Sequence, residues 1–170
     1  MGENTRLQVI VAQLGSRGHY IVPKALNRAG MLARFYTDAY VGKGSFLYPI
    51  AKLARMVPTK WKPAALERML DRHEDSIPPD KVFALNLLGL QYYCALARAK
   101  NPAMRMSVNK KYGDRFALII NQHNDIQANC IYTFKGAALP LVMESRKRGW
   151  IGLYEQFSAP ATIMYSIYRE

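Results

Sequence analysis

Three short stretches hold residues whose types could do chemistry: GSRGH at 15–19, DAYVGKG at 38–44 and EQFSAP at 155–160. In the first, the small residues Gly15, Ser16 and Gly18 let backbone N–H groups approach an anion at a helix start. Arg17 adds positive charge, and His19 is a candidate base or hydrogen-bond donor. The second stretch carries Asp38 and Lys43. The third offers Glu155 and Gln156, a carboxylate and an amide at a strand end, with Glu155 a candidate general base or ligand for substrate hydroxyls. Each has a plainer reading. Gly15 and Gly18 make only a turn with His19 capping the helix, and Asp38 or Glu155 forms a structural ion pair, Glu155 with Arg17 or Lys43. The first loop is no standard nucleotide motif: it lacks the third glycine of G-x-G-x-x-G and the Lys-Ser/Thr pair of a P-loop.

These stretches sit where strands should end. RLQVIVAQL (6–14) is a dense apolar run of the kind that forms a strand buried on both faces. A helix is predicted from about Tyr20 to Ala29, with Pro23 tolerated in its first turn and Gly30 as its stop, followed by a strand, ARFYTDAY (33–40). Strand, glycine turn, helix, strand in about thirty residues is a βαβ unit with parallel strands. Further along, KVFALN (81–86) reads as a short strand or extended segment, and helices are expected over 86–100 and 104–123. Strands follow over 129–135 and 150–156, with a helix over 137–148 capped by Gly149 and another beginning at ATIMYSIYRE. The expected class is α/β: a single domain over 1–170 with a Rossmann-like open parallel sheet of about four strands, helices on both faces and an inserted helical segment at about 44–75. Ligands of such sheets bind beyond the carboxyl ends of the strands.

With 24 Lys and Arg against 12 Asp and Glu, the formal net charge is +12. That favours polyanions or anionic surfaces as partners and says nothing about fold. Much of the excess lies in the insertion, where Lys52, Arg55, Lys60 and Lys62 accompany Trp61. Apolar residues there fall at helical spacing, so a peripheral contact with an anionic membrane is preferred over nucleic acid, beside the plain reading of a solvated charged face. No apolar run approaches the ~20 residues of a membrane-spanning helix. The polar start MGENTR does not read as a secretory leader, and Arg6 stands where a myristoylation signal wants Ser or Thr. Cys94 and Cys130, without metal-ligand spacing, read as reduced core residues of a cytoplasmic protein, and no metal site is expected.

In combination, VIVAQLGSRGHYIVPKALNRAGMLARFYTDAY, IPPDKVFALNLLGLQYY, IYTFKGAAL and YEQFSAP resemble, in order and spacing, the N-terminal domain of bacterial glycosyltransferases of GT-B architecture. The resemblance spans nearly the whole chain. It implies an acceptor-side domain that faces a nucleotide-sugar-binding domain across a cleft, with no obligatory metal and no cofactor beyond the nucleotide-sugar co-substrate. It places Gly15 to His19 beside the transferred sugar, and Glu155 with Gln156 near the inter-domain crevice. Asp38 and Lys43 fall where a sugar or lipid-linked acceptor would bind. The donor-binding half is absent from these 170 residues, so the chain is expected to be inactive alone and to need a C-terminal half as partner. The alternative is a non-catalytic basic α/β module that binds nucleic acid or a partner protein.

Overall fold

Alternation along the first strand sets the architecture. In β1 (Val9–Gln13) every residue is buried. Val9 and Val11 enter one apolar cluster while Ile10 and Ala12 enter another on the opposite face. A computed structural model describes residues 6–15, 20–42, 45, 48–49, 52–53, 56, 72, 74–123, 126–134, 136 and 138–155. Within them lie β1, α1 (Ile21–Arg28), β2 (Leu32–Thr37), a 3-10 turn (Pro79–Lys81), β3 (Val82–Ala84), α2 (Asn86–Arg98), α3 (Pro102–Gln122), β4 (Cys130–Phe134), α4 (Ala138–Lys147) and β5 (Ile151–Glu155).

The five strands form one sheet in the order β3-β2-β1-β4-β5, and every pairing is parallel. The chain builds outward from β1 to β2 and β3, then crosses back to lay β4 and β5 on the other side of β1. The fold is a Rossmann-like open sheet, with its switch in strand order between β1 and β4. α1 packs on the face of Val9, Val11, Leu32 and Phe35 through Val22 and Leu26. Leu88 of α2, Phe116 and Ile120 of α3, and Leu141 of α4 cover the face of Ile10, Tyr36 and Ile131. Helices on the two faces follow from right-handed connections that travel in opposite directions from β1.

The sheet has one strand more than the four expected, because the extended segment at 81–86 pairs with β2 through Phe35↔Val82, Tyr36↔Phe83 and Thr37↔Ala84. β2 stops at Thr37 rather than at residue 40. Beyond it the Asp38 side chain accepts a hydrogen bond from the Gly15 N–H, and the Tyr40 and Val41 amides turn away to Asn86 Oδ1 and the Arg72 carbonyl. α1 ends in a Schellman turn, with Gly30 at φ 65, its N–H on the Asn27 carbonyl and the Met31 N–H on the Leu26 carbonyl. The same pair of bonds closes α4 at Gly149. Of the two cysteines expected in the core, Cys130 is buried within β4 and Cys94 is exposed on α2. Most of the insertion lies outside the described residues; Tyr48–Pro49 and Lys52–Leu53 are helical. Among the described residues no helix is long and apolar enough to cross a membrane.

Candidate functional site at the strand ends

Because β1 and β2 are neighbours, the residues that follow them meet. Asp38, one residue past β2, is fully buried. Its Oδ1 accepts the Gly15 N–H at 2.8 Å, Arg72 Nη1 at 2.9 Å and the Thr37 hydroxyl at 3.3 Å. Its Oδ2 accepts the Tyr93 hydroxyl at 2.9 Å. Arg72 also donates to the Tyr93 oxygen and stacks over that ring, 4.7 Å from its centroid. One carboxylate therefore ties together the loop after β1, the end of the insertion and the middle of α2.

The electrostatics match that geometry. Burial disfavours the charge on Arg72, but the neighbouring Asp38 foremost, then Tyr93 and Tyr20, outweigh it and raise the guanidinium pKa above its ordinary value. Burial pushes the Tyr93 phenol up, and the Asp38 charge pushes it further against the opposing pull of Arg72. Tyr20 is raised chiefly by burial as well. The pair is a closed carboxylate–guanidinium unit with two neutral phenols against it.

Gly15 is held from both sides. It adopts φ 87, a left-handed conformation that glycine takes without penalty. Its N–H goes to Asp38, and its carbonyl accepts Gln13 Nε2 at 2.9 Å. The Gly15 amide is thus committed to Asp38 and not to an anion. α1 begins with Tyr20 at its N-cap, where a backbone φ of 61 is strained for a non-glycine residue, and the Tyr20 side chain makes no capping hydrogen bond. That strain is held by packing. The Tyr20 ring is buried edge-on against Phe35 at 5.2 Å, and its hydroxyl donates to the Ala39 carbonyl at 3.1 Å.

Glu155 ends β5, half-buried, with Oε2 accepting the Tyr132 hydroxyl. At one strand spacing of ~4.8 Å per step, two steps separate β5 from β1, so Glu155 stands roughly 10 Å along the same carboxyl edge from the Gly15 corner. Between them, Thr133 of β4 is fully buried, and its hydroxyl has no hydrogen-bond partner among the described residues.

The structure thus brings Gly15 and Asp38 into contact and leaves Glu155 on the same edge at a distance. Asp38, read from the sequence as a cleft residue for the acceptor, has no exposed surface, and its carboxylate is taken up by Gly15, Thr37, Arg72 and Tyr93. Lys52 is exposed and belongs to no part of this cluster. Ser16, Arg17, Gly18, His19, Lys43, Gln156, Arg55, Lys60, Trp61 and Lys62 lie outside the described residues. Gln13, Arg72, Tyr93 and Tyr20 were not singled out in the sequence. Only Gln13 carried a visible signal there, as a polar residue closing an otherwise apolar strand. Arg72 was submerged in the basic run and Tyr93 in the helix pattern.

Among the described residues no group of three or more His, Cys, Asp or Glu is placed to hold a metal. Comparison with protein-family models, curated proteins and solved structures finds no match for this chain.

Proposed function

We propose that this chain is the acceptor-side lobe of a GT-B glycosyltransferase, with the carboxyl ends of β1, β4 and β5 forming one wall of the sugar-transfer cleft. The observation that carries the reading is the Gly15 corner. It is a left-handed glycine leaving β1 at the switch in strand order, braced by Gln13 and Asp38 so that the residues after it start from a fixed point. The sequence resemblance supplies the chemistry. In that scheme Asp38, Arg72 and Tyr93 hold the wall, Glu155 reaches into the cleft, and His19 is the candidate base. Stabilisation of the leaving diphosphate falls to a second lobe, so this one alone transfers no sugar.

Amide-shift mapping on the 15N-labelled chain tests the proposal, with a short-chain polyprenyl-diphosphate sugar as acceptor probe and UDP-glucose as donor probe. The acceptor probe is expected to shift Gly15, Asp38 and Glu155, the donor probe to bind far more weakly, and the two together to give no transfer product. Shifts confined to the amino ends of the strands, or sugar transfer by the chain alone, would refute it.

A further inference from the structure

The connection from β3 to β4 is longer than the crossing requires, and its outer part is largely exposed. Strands of five residues span ~17 Å, whereas α3, with 21 residues, is ~31 Å long. Its burial begins only at Tyr112: residues 102–111 are exposed apart from half-buried Val108. About ten residues, ~15 Å of helix, therefore project past the core. α2 packs against this arm through Tyr92, whose hydroxyl donates to Asn109 Oδ1 at 2.8 Å and whose ring meets Tyr112 at 5.5 Å.

The opposite face of α2 is where polar residues belong in a helix bordered by water. Instead Leu87, Leu90, Cys94 and Ala97, at helical spacing, are all exposed, the two leucines by 69% and 62%. Met104 and Met106 are exposed at the start of α3. The charges around these residues have one sign. From Asn86 to Gly113 the chain carries Arg98, Lys100, Arg105, Lys110 and Lys111 and no acid. Only Lys110 has an acidic partner among the described residues, Asp114 at 2.7 Å.

We propose that the α2–α3 hairpin docks the chain on an anionic phospholipid bilayer, its aliphatic side chains in the headgroup–acyl boundary and its cations among the lipid phosphates. Nucleic acid would satisfy the cations but leave the leucines and methionines in water. A protein interface would exclude lysine from its core. A bilayer uses both: apolar area buried in the interface and favourable electrostatics for each basic residue near the surface. Since no described helix can cross a membrane, the hairpin lies on the surface. This inference is independent of sugar transfer. It also differs from the sequence expectation, which put membrane contact on the insertion.

The test uses the 170-residue chain and vesicles of phosphatidylcholine alone or with 30% phosphatidylglycerol. Co-sedimentation is expected only with the anionic vesicles, and to weaken with salt. Each cation near such a surface is worth about fivefold in partition, so Arg105→Gln with Lys111→Gln should cost about 25-fold. Leu87→Ser with Leu90→Ser should also weaken binding markedly. These side chains are exposed, so unchanged melting is expected of each variant. Cys94 gives a readout without mutation: it is exposed while Cys130 is buried, so a polarity-sensitive dye attaches there selectively and should shift to the blue on anionic vesicles. An unshifted dye, wild-type partition of both hairpin variants, or salt-dependent binding to duplex DNA without vesicle binding would each overturn the proposal.

Discussion

Replacing Asp38 by alanine would strip the acceptor from the Gly15 amide, the Arg72 guanidinium and the Tyr93 hydroxyl together. The largest cost is the guanidinium. Arg72 is 7% exposed, and a buried charge that loses its partner destabilises by about 3–5 kcal/mol. Against a total of about 5–15 kcal/mol for a typical domain, that is a large share. At about 2–4 °C per kcal/mol for a chain of this size, the midpoint of thermal unfolding should fall by roughly 6–20 °C. Arg72→Met leaves Asp38 with the Gly15 and Tyr93 donors and should cost less. The double variant removes both charges and should be more stable than the sum of the single losses implies, by about 1–3 kcal/mol. Urea and thermal unfolding of the four proteins, followed by circular dichroism, closes the cycle. Additivity within about 0.5 kcal/mol, or a fall of less than 2 °C for Asp38→Ala, would show that the two groups are not the buried pair described here.

Gly89 of α2 lies against the same corner, where an added Cβ would stand 2.2 Å from the Asp38 carbonyl oxygen. Gly89→Ala should therefore destabilise by about 1–3 kcal/mol in urea unfolding, although alanine is the better helix former; a more stable variant would refute the contact. Glu74 is held down to about 2 from its ordinary 4.5: burial opposes the shift, but the hydrogen bond from Lys24 and those from Ser76 outweigh it. A carboxyl depressed in the folded state stabilises fully above its unfolded pKa and loses that contribution as acid protonates it. Stability should thus fall between about pH 4.5 and pH 2, and Lys24→Met should flatten that part of the profile measured by urea unfolding.

The middle of the sheet was legible because β1, β2 and β4 are largely buried on both faces and bounded by turn residues. VIVAQ and CIYTF read as strands without help from tertiary context. β3 is only three residues long, and its pairing with β2 is what makes it a strand rather than a loop. In the site, Gly15 and Asp38 were visible as strand-end residues, yet their mutual bond was not, since it joins positions 23 apart. Arg72 and Tyr93 were hidden for the same reason. A basic residue in a basic run and a tyrosine on a helix reveal a shared role only once the fold sets them beside a carboxylate. The apolar outer stripe of α2 escaped notice because periodicity identifies a helix without saying which of its faces the core will leave uncovered.

The point where Arg72 meets Asp38 also fastens both ends of a long excursion. The Val41 amide holds the Arg72 carbonyl at 3.1 Å while the guanidinium holds Asp38, so the chain leaves and rejoins the core at one spot. Closure entropy grows only slowly with contour length, about 0.6 kcal/mol per doubling. Closure entropy alone therefore sets little limit on the length of the stretch between those anchors while the parallel strands keep their register. A new recognition surface can be tried there without rebuilding the scaffold beneath it.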